Sequence, residues 1–123
     1  MHLRSQLGKK AEKKVGEYLI NQGFKILEYN YRKKRGEIDL IATKPHLLVF
    51  VEVKMRQHAH FDLSDVITRG KQRKIISVAK EYIAKRGWQE QSYRFDVALI
   101  LGTQETLDLT YIPNAFTEGD YAW

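Results

Sequence analysis

Cysteine is absent from the 123 residues of the chain. That excludes disulfides, thiolate metal sites and a cysteine nucleophile. Proline occurs only twice, as Pro45 and Pro113, and both sit at breaks in the hydrophobic pattern. No apolar run approaches the roughly 18 residues that span a bilayer, so no membrane partner is expected. The N-terminal MHLRSQLGKKAEKK is basic but lacks an apolar stretch, which argues against a secretory signal. A cytoplasmic location is the expectation. Repeats and low-complexity tracts are also missing. Hydrophobic residues make up 43% and charged residues 29%, a globular composition. The length suits one domain, taken here as residues 1–116, followed by an acidic and aromatic tail over 117–123.

Charge is abundant and unevenly placed. The net charge is +6, but residues 1–35 carry +7, 36–66 carry −2, 67–94 carry +6 and 95–123 carry −5. Two basic blocks therefore flank a short acidic centre. A polyanion is the natural partner for such blocks. Solvated helix faces are the plainer reading of the same blocks, and the acidic centre decides between the two.

Residues 4–21 read as a helix, with Leu7, Ala11, Val15, Tyr18 and Leu19 on one face and Asn21 and Gly23 as a stop. Residues 24–31 read as a strand running into the basic turn Arg32-Lys33-Lys34-Arg35-Gly36. Residues 37–43 and 47–54 read as two strands joined at Lys44-Pro45-His46. The second is apolar on both faces up to Val51, as a strand buried on both sides requires. Residues 55–68 read as a loop, 70–86 as a helix stopped by Gly87, and 93–101 and 106–112 as strands. This order of elements predicts a mixed sheet with helices packed on it.

The informative residues are polar ones on the two middle strands. Asp39 and Glu52 lie among Ile38, Leu40, Val51 and Val53, where a charge costs several kcal/mol unless paired or metal-bound. A hairpin with Pro45-His46 as its loop puts Lys44 opposite Leu47. Asp39 then faces Glu52, and Glu37 faces Lys54. Opposed residues point to one side about 4.5–5.5 Å apart, so one patch would hold Glu37, Asp39, Glu52 and Lys54. A slip of one residue would separate Asp39 from Glu52. Pro45 does not suit the favoured primed turns, so a four-residue loop or a bulge is the competing geometry. Two carboxylates suit Mg²⁺ or Mn²⁺, with coordination positions left for water and phosphate. The lysine would orient the attacking water or stabilise charge on the phosphate. Cross-strand salt bridges are the alternative, but they leave two opposed carboxylates to repel each other.

The spacing Asp39…Glu52-Val53-Lys54 resembles the active-site signature of the PD-(D/E)XK nuclease superfamily, whose restriction-endonuclease-like core runs αβββαβ. Ile38 stands where the nominal proline would be. More closely, Gly36-Glu37-Ile38-Asp39-Leu40-Ile41, Leu48 to Lys54 with Arg56, Arg94-Phe95-Asp96-Val97 and Asn114-Ala115-Phe116 resemble the bacterial YraN-type family, as does Gly8-x-x-Ala11-Glu12 with Tyr18-Leu19. The resemblance covers almost the whole chain. It implies an α/β restriction-endonuclease-like fold and a metal-dependent endonuclease related to archaeal Holliday-junction resolvases. Asp39 and Glu52 would be metal ligands and Lys54 the catalytic lysine. Glu12 matches the first-helix glutamate that often joins the metal site in junction resolvases. Glu37 belongs to the motif without an assigned role.

DNA, including branched DNA, is the expected substrate, and RNA stays open because nothing in the sequence reads a 2′-hydroxyl. Arg32, Lys33, Lys34, Arg35, Arg56, Lys71 and Arg73 are the candidate phosphate contacts. Two symmetric cuts at a junction would call for a homodimer. His58 and His60 lack an evident third ligand and read as surface polarity. Asp96 reads as a structural acid with a basic partner, and Trp88 and Tyr93 as packing residues. The competing functions are a non-catalytic nucleic-acid-binding module of the same fold and a protein-interaction domain with a basic surface.

Overall fold

The architecture was established from a computed structural model, which describes residues 5–56, 67–102 and 105–118. Helix α1 spans Gln6–Asn21, followed by strands β1 (Lys25–Lys33), β2 (Gly36–Lys44) and β3 (Leu47–Arg56). Helix α2 spans Arg69–Arg86 and precedes strands β4 (Ser92–Gly102) and β5 (Leu107–Phe116). The five strands form one sheet in sequence order. All neighbours are antiparallel except β3 and β4, which are parallel, so α2 lies on the crossover between them. The expected elements are all present. The last strand extends beyond the expected residue 112, through Pro113 to Phe116. The His58 and His60 reading, and the tail beyond residue 118, lie outside the described residues.

Each helix covers one face of the sheet. Ala11, Val15 and Leu19 of α1 pack with Leu40, Ala42, Val49, Val51, Ala98 and Ile100. Ile75, Ile76, Val78, Ala79, Tyr82 and Ile83 of α2 pack with Leu48, Phe50, Phe95, Val97 and Phe116. Strand β3 is thus buried on both faces, which explains its unbroken apolar run. Ser5 caps α1 by accepting from the Gly8 amide at 2.9 Å. Gly87 ends α2 in the left-handed conformation at φ 68°, which glycine adopts without penalty.

The β2–β3 hairpin has the expected register. Lys44 pairs with Leu47, and the ladder runs to Leu40 opposite Val51. The two-residue loop is built from Pro45, whose ring fixes φ, and His46 at φ 68°, the combination a type II turn uses. Neither a longer loop nor a bulge is needed. Beyond Leu40 and Val51 the paired ladder ends, and Asp39 Oδ2 instead accepts from the Val53 amide at 2.8 Å. Alternation breaks at the same point, since Ile38 packs on the α2 side while Leu40 and Ala42 face α1. The two strands fork there.

Asp96 is fully buried on β4. Its carboxylate accepts from Arg94 Nε at 2.8 Å and Nη2 at 3.0 Å, from the Tyr111 hydroxyl, and from the Asn114 amide at 2.8 Å. This network pins the irregular β4–β5 pairing near Phe95 and Val97. Its basic partner is Arg94. Trp88 packs against the α2-side core, while Tyr93 is partly exposed and meets Phe50 and Phe95 edge-on.

Candidate active site

A cavity of about 570 Å³ opens at the fork. Its walls come from the first half of α1 (Gly8, Ala11, Glu12), from Gly36, Glu37 and Asp39 of β2, and from Glu52 and Lys54 of β3. Thr68, Lys71 and Lys74, at the start of α2, close it. Because β2 leaves β3 here, residues from both faces of the sheet reach one space. The hairpin leaves Asp39 and Glu52 together just past its last paired rung, with Asp39 turned onto the Val53 amide, and the helices bring the rest.

Glu52 is 5% exposed. Its Oε2 lies 2.8 Å from Lys71 Nζ and 3.4 Å from Lys54 Nζ. Asp39 is close enough to Glu52 for their carboxyls to share a hydrogen bond. Burial first, and the Glu52 charge second, push the Asp39 carboxyl up to about 8. Two carboxylates held this close favour a shared proton or a bound cation. Burial, with the Lys71 ammonium beside it, pulls the Lys54 amine below its ordinary range. For Lys71, burial acts downward, but the Glu52 hydrogen bond and charge prevail and hold it above its ordinary range. The position of Lys71 is set by the Thr68 N-cap, whose Oγ1 accepts from the Lys71 amide at 3.2 Å.

The expected site residues separate into groups. Asp39, Glu52, Lys54, Glu12 and Glu37 all line the cavity. The expected Glu37–Lys54 cross-strand pair is not formed, because the ladder has already ended at Leu40. Glu37 pairs instead with Arg32 on β1, at 2.9 Å, so Arg32 is held by a carboxylate. Lys71, expected at phosphate, sits on Glu52. Glu12 is not a surface charge. It is 5% exposed and accepts from Asn30 Nδ2 at 3.2 Å. Lys33, Lys34 and Arg35 line a second, open notch of about 750 Å³ with Ser77, Lys80 and Glu81 of α2. Arg35 is fixed there by donating to Ser77 Oγ at 2.9 Å. Arg56 folds back onto the Met55 carbonyl at 2.7 Å, and neither it nor Arg73 lines the cavity. Lys74 and Asn30 are contributions that the sequence reading missed. Helical spacing from Lys71 pointed to Lys74, and an asparagine amid strand formers marked Asn30 as irregular.

Among the described residues, no group of three or more His, Asp or Glu side chains is placed to hold a metal ion together. The convergence of Asp39 and Glu52 still fits Mg²⁺ or Mn²⁺. Such ions commonly take one or two carboxylates and complete their shell with water and substrate phosphate.

Residues 11–100 match the model of the uncharacterised protein family UPF0102. The chain belongs to this family. It is 39% identical over 116 residues to a UPF0102 protein of Alkaliphilus metalliredigens, covering 93% of this chain and all of that one. It is 38% identical over 118 residues to one of Vibrio parahaemolyticus, covering 94% and 96%. Among solved structures, it is similar to Hjc, a Holliday junction resolvase from Archaeoglobus fulgidus. The TM-score is 0.57 at 17% identity, over 89% of this chain and 78% of that one. At that identity the likeness establishes the fold, which is restriction-endonuclease-like as the sequence motifs implied. No described helix is long and apolar enough to cross a membrane.

Proposed function

We propose that the chain is a divalent-cation-dependent endonuclease that hydrolyses phosphodiester bonds in DNA, with branched duplexes as the first substrates to try. The observation that carries this reading is the convergence of Asp39, Glu52 and Lys54 at the fork, on the floor of a cavity rimmed by Lys71 and Lys74. Asp39 and Glu52 would hold Mg²⁺ or Mn²⁺, with Glu12 contributing from α1. When bound, the cation supplies Lewis-acid polarisation of the scissile phosphate and a water of lowered pKa. Lys54, beside Glu52, would orient the attacking water and balance charge building on the phosphate. Lys71, paired with Glu52 at the rim, would serve a phosphate oxygen. Lys74 leads along α2 from the cavity to the notch of Lys33, Lys34 and Arg35, giving the sugar-phosphate backbone a basic track. The fold supports nucleic-acid binding of this kind, and two copies would serve a symmetric junction.

The non-catalytic binding module has one observation in its favour, since Lys54 and Lys71 already neutralise Glu52. One experiment separates the two readings. Mg²⁺ and Mn²⁺ are titrated by calorimetry into the wild type and the Asp39→Asn/Glu52→Gln variant, and both proteins are then incubated with branched and linear DNA duplexes. The endonuclease reading expects cation binding and cleavage, both lost in the variant. DNA binding that survives in the variant, with no cation binding in either protein, would overturn it in favour of the module.

A further inference from the structure

Asn30 has no place in the chemistry above, and its surroundings are unusual in three respects. It lies within β1 yet adopts φ 54°, a region that asparagine tolerates better than most residues. Its Nδ2 donates to Glu12 Oε1 on α1 at 3.2 Å. Its Oδ1 is buried and accepts from no protein group.

The backbone conformation explains the hydrogen bond. Successive side chains of a regular strand point to opposite faces. Tyr29 already points to α1, where its hydroxyl lies so close over Gly16 that a Cβ there would clash with it. Regular geometry would therefore send Asn30 to the α2 face. The left-handed residue breaks the alternation and delivers Tyr29 and Asn30 to α1 together. The register adds a second relation. Tyr29 pairs with Leu40 and Tyr31 with Ile38, which leaves Asn30 opposite Asp39. Asn30 thus stands between two of the acids that line the cavity. Folding alone has little use for an amide with a buried, unsatisfied oxygen in an irregular strand position.

We infer that Asn30 is a positioning residue: it tethers the Glu12 carboxylate beside Asp39 so that α1 contributes its acid to the cation site. This rests on the cation-dependent reading of the cavity. The amide nitrogen faces the carboxylate, and the buried oxygen is left without a protein partner. Second-layer partners of metal-binding carboxylates typically change metal affinity by 10–100-fold when removed.

The test uses four full-length proteins: wild type, Asn30→Gly, Glu12→Gln and the double variant. Glycine suits φ 54° and removes only the side chain, whereas alanine would add backbone strain. Mn²⁺ affinity is measured by calorimetry, and urea midpoints are measured in chelator. We expect Asn30→Gly to lose about 10-fold in Mn²⁺ affinity, and the double variant to bind no more weakly than Glu12→Gln, because Asn30 acts through Glu12. The urea midpoints should be non-additive in the same sense, which reports the tether without metal. Unchanged Mn²⁺ affinity in Asn30→Gly would overturn the inference while leaving the cation site standing. A full 10-fold loss on top of Glu12→Gln would also overturn it, by placing Asn30 on a different partner. A wild type that binds no Mn²⁺, with the urea coupling intact, would overturn the cation reading and the positioning role with it, leaving only a structural tether.

Discussion

Replacing Asp39 by asparagine should make the metal-free protein more stable. In the wild type, burial and the Glu52 charge push the Asp39 carboxyl from an ordinary 3.8 to about 8. At pH 7 the folded protein therefore holds a proton that the unfolded chain has released. The stability tied to this proton is complete below about pH 4 and falls as pH rises through 8, because over that interval the folded state binds more protons than the unfolded one. One pKa unit corresponds to about 1.36 kcal/mol, so the loss accumulated between 3.8 and 7 has a ceiling of about 4 kcal/mol. Asparagine imitates the protonated acid at every pH, and its oxygen can still accept from the Val53 amide. Relaxation of Lys54 and Lys71 and water entry soften the wild-type penalty, so about half the ceiling, roughly 2 kcal/mol, is the expected gain at pH 7. For a chain of this length that is a rise of roughly 8 °C in Tm. The assay is urea and thermal unfolding in chelator at pH 4 and pH 7. The difference should be present at pH 7 and nearly gone at pH 4. Saturating Mn²⁺, at about a hundred times its Kd, should then add about 2.7 kcal/mol to the wild type and little to the variant. A variant no more stable than wild type at pH 7, or equally favoured at pH 4, would refute the account of the Asp39–Glu52 pair.

Lys54→Met should lower cleavage by about 10²–10³-fold with little change in DNA affinity, as expected of a group acting on the reacting phosphate; single-turnover rates against binding isotherms check this. Lys34→Ala/Arg35→Ala should flatten the dependence of log affinity for duplex DNA on log salt by about 1.8, two contacts at roughly 0.9 each, whereas Lys9→Ala/Lys10→Ala on α1 should change it far less. Asp96→Ala should cost about 3 kcal/mol in urea unfolding, because it strands the buried side of Arg94 and the Tyr111 hydroxyl, without weakening Mn²⁺ binding in the protein that remains folded. Thr68→Ala should cost about 1 kcal/mol through loss of the α2 cap, with a loss of cleavage beyond what stability explains, because that cap sets Lys71.

What the sequence determined by itself was local. Periodicity marked the described helices, since burial of one stripe leaves its period in the residues, and an unbroken apolar run marked β3, which is buried on both faces. The short Pro45-His46 connection suggested one register, and that register brought Asp39 and Glu52 to the end of one hairpin, with Lys54 two residues on. The carboxylate pair and its lysine were legible because a single hairpin builds them. Tertiary structure decided what distant segments bring. The end of the β2–β3 ladder, with Asp39 turned onto the Val53 amide, diverted Glu37 to Arg32 and opened the cavity. The packing of α2 set Lys71 on Glu52, where the sequence showed only a basic helix. The φ of Asn30 tied β1 to Glu12, and the β4–β5 irregularity gathered Arg94, Tyr111 and Asn114 around Asp96. Partners this far apart in sequence have no period to betray them. They meet only after the sheet has twisted and the helices have covered its two faces.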